Sequence, residues 1–359
     1  MRIHVISPMW PSTESTHTGV FVKNLSTSLA ALGFDVDNTA VLAGKGAGRR
    51  GRLEKHATLG ARILRQARQP ADCVLVHAPT WFAPLIEAVR KDKKLVVHTH
   101  GGEVYPHSRM EARTQPAVRW LCRRADLVVT PSRYYRGEVQ RAFGVAEERM
   151  FVSPSGGVDT ERFAPLDQTT AREGLGLPGA FYVGFMGRIV DDKGWDVFVD
   201  TIGTLVRRGH DVRGLVVGQG EARELLLERA AARCVAERIH MLGTVPQAEL
   251  RPYLASLDVF MFPTRRGAEA LGLGPIEALA TGVPVVGSNA YAVPEYVVDG
   301  ETGWLAPARD VEAFAAAVEH VITLDATERA ALSSRAVEMG RRYDTRRVTE
   351  ALAARLLEL

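Results

Sequence analysis

"SPSGGVDTERFAPLDQTT", residues 153–170, interrupts a pattern that runs along the whole chain. The stretch is rich in Gly, Pro, Ser and Thr, a composition that suits a connection between domains. Before it come six short β-branched runs: "RIHVIS" (2–7), "VDNTAVL" (36–42), "DCVLVH" (72–77), "KLVVHT" (94–99), "DLVVTP" (126–131) and "MFVSP" (150–154). After it the pattern restarts with "FYVGFM" (181–186), "RGLVVG" (213–218), "RIHML" (238–242), "DVFMFP" (258–263) and "VPVVGS" (283–288). Near-continuous apolar runs of this kind suit strands buried on both faces. Helix-length amphipathic segments, such as 19–33 and 110–124, lie between them. Such alternation predicts parallel sheets with helices on both sides. The expected fold class is therefore α/β, with two Rossmann-like domains. In open sheets of this type ligands bind beyond the carboxyl ends of the strands, so the two domains are expected to face one central cleft. No short-period repeat points to a solenoid.

Composition narrows the function classes. The 359 residues suffice for two domains, and 46% hydrophobic against 24% charged residues is globular. No apolar run approaches the length of a membrane span. "MRIHVIS" enters a β-like run directly, without a cleavable signal pattern. Cys73, Cys122 and Cys234 are far apart and form no CxxC, so a reducing cytoplasm is the expected compartment. The net charge of +3 is uneven: residues 1–150 carry 23 Lys and Arg against 13 Asp and Glu, and the remainder 22 against 29. The basic excess peaks in "GKGAGRRGRLEKHATLGARILRQAR" (44–68). Two readings are open: a solvated loop and polar helix face, or peripheral attraction to an anionic membrane surface or acceptor. Nucleic acid is disfavoured as a partner, because aromatics are not interleaved with these charges.

Several stretches carry candidate chemistry. "FMGRIVDDKGWD" (185–196) sets Gly187, Arg188, Lys193 and Gly194 just beyond a strand. Two cations there can neutralise a diphosphate, whose charge grows as it departs; a surface loop is the plain alternative. "VVGQGEARE" (216–224) carries Gly218 and Gly220 but has Arg223 where a dinucleotide fingerprint needs a third glycine. It reads as a tight turn near a nucleotide. No GxxxxGK[ST] is present, which argues against a P-loop NTPase. "HTHGGEVYPH" (98–107) sets His100 at a strand tip, as a substrate contact or a turn-capping histidine. His100, Glu103 and His107 match no zinc spacing well, so no metal site is assigned. Gly19, in "MWPSTESTHTGVFVKNL" (9–25), falls at a helix N-terminus that can meet an anion. Ser15, Thr16 and Thr18 there can face a sugar or cap the helix. Asp35-Val-Asp37 has a metal-pair spacing, but surface alternation of a strand explains it better.

"EALGLGPIE" (269–277) holds two glutamates around a glycine turn. Pro275 suits the first turn of a helix, with Gly274 at or near its N-cap and Glu277 in the first helical turn. Ala270, Leu271 and Gly272 form the turn, whose N–H groups with the helix N-terminus make an anion pocket. Glu277 can accept two vicinal hydroxyls of a ribose, and Glu269 lies across the turn at the other end of the bound molecule. A helix-start Glu and a surface Glu are the plain alternative.

Together these stretches resemble glycosyltransferase family 4, retaining transferases with the two-domain GT-B fold. "EALGLGPIE" matches the family's Glu-x7-Glu motif and "GRIVDDKG" its Gly-Arg-x4-Lys-Gly element. "PSGGVDTERFAP" resembles the interdomain segment, with Ser155-Gly156 in place of Asn. "HGGE", "ADLVVTPS" and "PEYVVDGETGWL" (294–305) follow in the family's order, so the likeness covers nearly the whole chain. It implies Arg188 and Lys193 on the diphosphate, Glu277 on the ribose and Glu269 on the donor sugar. It places His100 under the sugar near the reacting carbon and Gly19 beside the phosphates. The backbone around Gly218 and "LGTVP" (242–246), with Gly243 and Val245, is expected to hold the base. Amides of Ala270–Leu273, including Leu273, are expected to reach the sugar and β-phosphate.

The expected domains are 1–160 for the acceptor and 161–342 for the nucleotide sugar. A C-terminal helix within 343–359 crosses back onto the first domain. Two departures stand out: "NAYAV" (289–293) replaces glycines before Pro294-Glu295, and Leu271 stands where Phe is common. The implied activity is transfer of a hexose-type sugar from a UDP- or GDP-linked donor to an acceptor hydroxyl, with retention. The acceptor is a lipid-linked glycan, a glycolipid or a small secondary metabolite. No metal or other cofactor is expected, the nucleotide sugar being a substrate, and the oligomeric state is not specified. The rivals are a sugar-nucleotide 2-epimerase of the same fold and a non-catalytic subunit that binds the donor.

Overall fold

The computed structural model describes residues 1–12, 18–43, 48–79, 82–106 and 108–359. The chain divides into two compact units, 1–157 with 345–359, and 158–344. The first contains β1 (Arg2–Trp10), α1 (Val20–Ala31), β2 (Asp35–Ala43), α2 (Gly48–Ala67), β3 (Cys73–His77) and α3 (Ala83–Arg90). It continues with β4 (Lys94–His98), α4 (Arg109–Arg124), β5 (Leu127–Thr130), α5 (Arg133–Phe143) and β6 (Met150–Val152). The second contains α6 (Gln168–Gly174), β7 (Phe181–Met186), α7 (Trp195–Arg207), β8 (Val212–Val217), α8 (Arg223–Ala232) and β9 (Ile239–Gly243). After these come α9 (Leu250–Ala255), β10 (Val259–Phe262), α10 (Leu273–Ala280), β11 (Val285–Ser288), β12 (Gly303–Ala306), α11 (Val311–Thr323) and α12 (Ala326–Arg342). The last helix, α13 (Thr345–Leu357), belongs to the first unit.

Each unit is one parallel six-stranded sheet, ordered β2-β1-β3-β4-β5-β6 in the first and β12-β11-β10-β7-β8-β9 in the second. Alternate residues of a strand point to opposite faces, and the cores follow that rule. In the first unit Ile3, Val5, Leu75, Val96 and Val129 pack with Val22, Leu25 and Leu29 of α1. Leu352, Ala353 and Leu356 of α13 enter the same cluster, which fixes that helix to this unit. In the second unit Val183, Phe185, Val216 and Met261 pack on one face under α7 and α11. Tyr182, Leu215, Phe260 and Phe262 pack on the other, against α10 and α12.

Helix starts follow their capping residues. Ser108 Oγ accepts from Glu111 N–H at 3.1 Å at the start of α4, and Ser132 Oγ accepts from Tyr135 N–H at 3.0 Å at the start of α5. Asp325 and Glu328 form a reciprocal capping box on α12. The boundary between the units falls within the Gly- and Ser-rich stretch, where Ser155, Gly156 and Gly157 have φ of 44°, 81° and 73°. Three successive left-handed residues turn the chain sharply, and two of them are glycines that do so without steric cost.

The strand positions read from sequence agree with the fold to within a few residues. β12 is the strand that sequence periodicity missed. Its four residues, Gly303–Ala306, form an edge too short to show alternation, and it is fixed by parallel pairing to β11.

Candidate active site

In the second sheet the chain enters at β7, adds β8 and β9 on one side, and then places β10, β11 and β12 on the other. β7 and β10 are therefore neighbours, and the helices that follow them, α7 and α10, pack on opposite faces of the sheet. That switch point is where open α/β sheets hold ligands. The loop after β7 carries Gly187 and Arg188, and the loop after β10 leads through Glu269 to α10.

The loops after β7 and β8 are pressed together. Gly187 N–H donates to Val217 O at 2.9 Å, Ile189 N–H to Gln219 O at 3.0 Å, and Gly218 N–H to Gly243 O at 2.7 Å. Gly218 has φ 142°, and a Cβ there would lie 1.9 Å from Gly187 O. The glycine pair that looked like part of a dinucleotide fingerprint thus serves loop-to-loop approach. Gly218→Ala is expected to cost about 2–3 kcal/mol, because a methyl cannot enter without moving main chain. Urea denaturation of the variant checks it. Val245, half-buried, follows Gly243 two residues on.

Arg188 is exposed, and its guanidinium has no hydrogen-bond or ion-pair partner among the described residues. Lys193 ends the short 3-10 turn Asp191–Lys193. Its Nζ forms an ion pair with Glu269 and lies 5.4 Å from the centroid of the Phe262 ring. Both ends of that pair are mostly buried, with side chains 17% and 12% exposed. Gly194, φ 76°, caps α7, and a Cβ on it would meet Pro263 O at 1.9 Å. The turn bearing Lys193 is thus set directly on the exit of β10.

A set of arginines that sequence reasoning missed holds the turn in place. Arg265 donates through Nη1 to both carboxylate oxygens of Asp196, at 2.9 and 2.8 Å, and Arg265 N–H donates to Asp192 O at 2.8 Å. Arg266 donates to Asp192 at 2.8 Å. Tyr291 donates its hydroxyl to Arg265 O at 2.7 Å and has φ 60°. The "NAYAV" departure is the signal that could have found this contact: a tyrosine occupies a left-handed position natural to glycine and reaches the arginine loop. The positive φ is sparsely populated for an aromatic residue.

The turn of "EALGLGPIE" differs in detail from its sequence reading. The N-cap of α10 is Gly272, with φ 85°, and not Gly274. Leu273 and Gly274 are the first two helical residues and Pro275 the third, so Glu277 lies just past the first turn. The left-handed cap explains the shift, because it stops the chain two residues before Gly274. Ala270 and Leu271 are buried, and Tyr296 donates its hydroxyl to Leu271 O at 3.0 Å. The Leu271 side chain packs in the core with Phe262 and Tyr296, so its outward contribution is main chain.

Glu277 is 5% exposed and accepts a hydrogen bond from Gln247 Nε2. Burial pushes its carboxyl above the ordinary range, against the opposing pull of Gln247 and Arg162. A raised native value means the folded chain binds more protons than the unfolded one, so stability falls as pH rises through it. Glu277→Gln is therefore expected to raise the melting temperature of the ligand-free protein at neutral pH. The gain should vanish in acid, below the ordinary carboxyl range, where both forms are neutral. Thermal melts across pH check it.

In the first unit Gly19, φ 72°, caps α1. His98 ends β4, and His100 follows two residues beyond it. Glu103, 3% exposed, accepts from His100 N–H and Gly101 N–H at 2.9 Å each and from the Tyr135 hydroxyl at 3.2 Å. All three bonds fall on Oε2, while Oε1 is buried and has no hydrogen-bond partner among the described residues. His107, Ser15 and Thr16 lie outside the described residues. His100 instead meets His77, whose Nδ1 lies 3.0 Å from His100 Nε2, and His98. Burial keeps all three imidazoles well below their ordinary pKa, His98 at about 3.

Of the basic segment, 44–47 lie outside the described residues and Gly48–Ala67 form α2. Among the described residues no helix is long and apolar enough to cross a membrane. Cys73 and Cys122 are buried, Cys234 is exposed, and all three are free. Asp35 and Asp37 stand on β2, where Asp37 lies 3.8 Å from His4 Nε2 and takes the Thr39 N–H at 2.8 Å.

Two family models match the chain: Glycosyltransferase Family 4 over residues 18–162 and Glycosyl transferases group 1 over residues 180–323. A GDP-mannose-dependent alpha-(1-6)-phosphatidylinositol monomannoside mannosyltransferase of Mycolicibacterium smegmatis is 38% identical over 63% of this chain and 60% of its own length. The lipopolysaccharide core biosynthesis mannosyltransferase LpsB of Rhizobium meliloti is 39% identical over 44% of this chain and 46% of its own length. A 2-deoxystreptamine glucosyltransferase of Streptomyces kanamyceticus is 30% identical over 63% of this chain and 61% of its own. The matched regions thus span about three fifths or less of these relatives. Among solved structures, a sucrose-phosphate synthase of Thermosynechococcus elongatus superposes with TM-score 0.81 at 19% identity, over 100% of this chain and 98% of that one. HepE of Anabaena, in complex with UDP and glucose, gives 0.77 at 21%, over 100% and 99%. The GT-B fold is the architecture they share with this chain.

Proposed function

Because the chain belongs to the glycosyltransferases of family 4, we propose that it moves a hexose from a nucleoside diphosphate sugar to an acceptor hydroxyl with retention. The observation that carries the reading is the Arg188 guanidinium, unpartnered among the described residues, on the loop that also bears Lys193 at the switch point of the second sheet. An uncompensated guanidinium there suits an anion, and its planar fork fits phosphate oxygens.

In this reading Arg188 and Lys193 hold the diphosphate, the α10 amides and the turn before them hold phosphate and sugar, and Glu277 takes the ribose hydroxyls. Glu269 exchanges its contact with Lys193 for the hydroxyls of the donor sugar. His100 contacts the sugar and Gly19 borders the phosphates. Gly218, Gly243 and Val245 accommodate the base. The bond from the anomeric carbon to the phosphate oxygen breaks, its electron pair leaving with the diphosphate. The acceptor oxygen bonds to that carbon from the same face, and its proton passes to the departing phosphate oxygen. The cations supply the charge stabilisation that a metal gives elsewhere, so neither metal nor cofactor enters.

The proposed donor is GDP-mannose, because the relatives near 38–39% identity are mannosyltransferases. The proposed acceptor is a glycolipid or lipid-linked glycan. This fits the excess of 23 basic over 13 acidic residues in 1–150, and peripheral attraction to an anionic surface at the cytoplasmic face follows from it. The test is a panel of GDP-mannose, UDP-glucose and UDP-N-acetylglucosamine, scored for binding, slow hydrolysis and the anomer formed with acceptors. GDP-mannose should bind most tightly and be hydrolysed slowly. A preference for UDP-glucose, with transfer to an aminocyclitol, would move the assignment toward small metabolites. Interconversion of the donor sugar at C2 would favour the epimerase, and binding without any turnover the non-catalytic subunit.

A further inference from the structure

Three histidines of the first unit meet in a way that glycosyl transfer does not call for. His77 closes β3 and His98 closes β4, and parallel register places them opposite each other. His100 lies two residues beyond, while the Thr99 hydroxyl donates to Val129 O at 3.1 Å. Ring centroids are 5.0 Å apart for His77 and His98, 4.4 Å for His98 and His100, and 5.2 Å for His77 and His100, whose rings stack at 9°. One nitrogen from each ring can be chosen so that all three lie within 4.8 Å of one another.

His77 and His98 are 0% exposed, and among the described residues His77 Nε2 and both ring nitrogens of His98 have no hydrogen-bond partner. An unpartnered buried polar atom forfeits the hydrogen bonds it made in water. Burying three imidazoles together is therefore unfavourable unless something bonds to their lone pairs. Among the described residues no carboxylate hydrogen-bonds to them: Glu103 takes two main-chain amides and Tyr135 on Oε2, and its buried Oε1 has no partner. An unpartnered imidazole nitrogen offers its lone pair as a metal ligand. Zinc takes nitrogen ligands at about 2.0–2.1 Å in a tetrahedron, so binding would draw the three ring nitrogens closer together. His77 and His98 are sealed, whereas His100 is half-exposed and gives the open side. Three protein ligands with a fourth position open is an accessible arrangement for a borderline divalent ion.

We propose that His77, His98 and His100 form a binding site for a divalent transition metal, zinc in particular, and that occupancy slows glycosyl transfer by withdrawing His100. The second half rests on the proposed role of His100 at the sugar; the first stands without it. Neither spacing in the sequence nor a compact motif announces the site, since His77 is joined to the others by strand register alone.

The test uses cobalt as a spectroscopic probe on the chelator-stripped full chain. One cobalt per chain, with the visible bands of a four-coordinate ion, is expected and should be displaced by zinc. His77→Gln and His98→Gln should each weaken binding at least about 100-fold, in line with loss of a metal ligand. Circular dichroism identifies the variants that fold. Absence of stoichiometric cobalt uptake by the wild type overturns the site whatever the variants do, and so does uptake unchanged in a folded variant. In the turnover arm one equivalent of zinc should slow transfer at least tenfold in the wild type, reversibly with chelator, and leave His98→Gln unaffected. Zinc that binds without slowing transfer overturns the inhibitory half. Cobalt binding intact beside no turnover of any sugar nucleotide counts against the proposed function and leaves the site standing.

Discussion

Arg188→Ala is expected to lower kcat about 100- to 1,000-fold, the usual loss when a preorganised group facing developing negative charge is removed. The Arg188 guanidinium is exposed and unpartnered among the described residues, so its removal breaks no internal contact. The melting temperature should accordingly stay near that of the wild type, which separates a chemical role from a structural one. Lys193→Ala should show a comparable loss of turnover with a second effect. It leaves Glu269, 12% exposed, without its cation, so some stability should be lost as well. Steady-state kinetics with thermal melts distinguish the two. Turnover within a few-fold of wild type in both variants would falsify the assignment of the cation pair.

The second large effect separates the two glutamates. Glu277→Ala should weaken nucleoside diphosphate binding about 10- to 100-fold, the equivalent of losing hydrogen bonds to a charged group. Glu269→Gln should instead reduce kcat about 100-fold and leave nucleotide affinity unchanged or slightly tighter. The tightening follows from the structure. Without the Glu269 carboxylate, Lys193 Nζ loses its ion-pair partner and is free for phosphate. Isothermal titration with the nucleotide alone, beside turnover with the nucleotide sugar, makes the comparison. Equal loss of nucleotide affinity in both variants would overturn the division of roles.

Much of the second unit was legible along the chain. Arg188, Lys193, Glu269 and Glu277 are each announced by local signals: a glycine beyond a strand, a Lys-Gly turn, and a glycine turn leading into a helix. Local signals also misplaced the start of α10, because Gly272 and Gly274 are both plausible caps and only the left-handed φ of Gly272 decides between them. The Arg265 and Arg266 supports were invisible, since their partners Asp196 and Asp192 are about 70 positions away and meet them only through the neighbouring β7 and β10. Leu271 shows what residue identity leaves open. It stands where Phe is common, and its side chain lies in the core while its carbonyl accepts the Tyr296 hydroxyl.

By itself the sequence determined the two α/β halves, the connection between them, and the local turns that carry Arg188, Lys193, Glu269 and Glu277, because periodicity and turn chemistry are properties of neighbours along the chain. The tertiary structure alone decided that Lys193 pairs with Glu269, that Glu277 is buried beside Gln247, and that His77 joins His98 and His100. Those contacts arise from strand order and parallel register, which bring distant residues to the same edge of a sheet, and no local pattern encodes which residues will meet there.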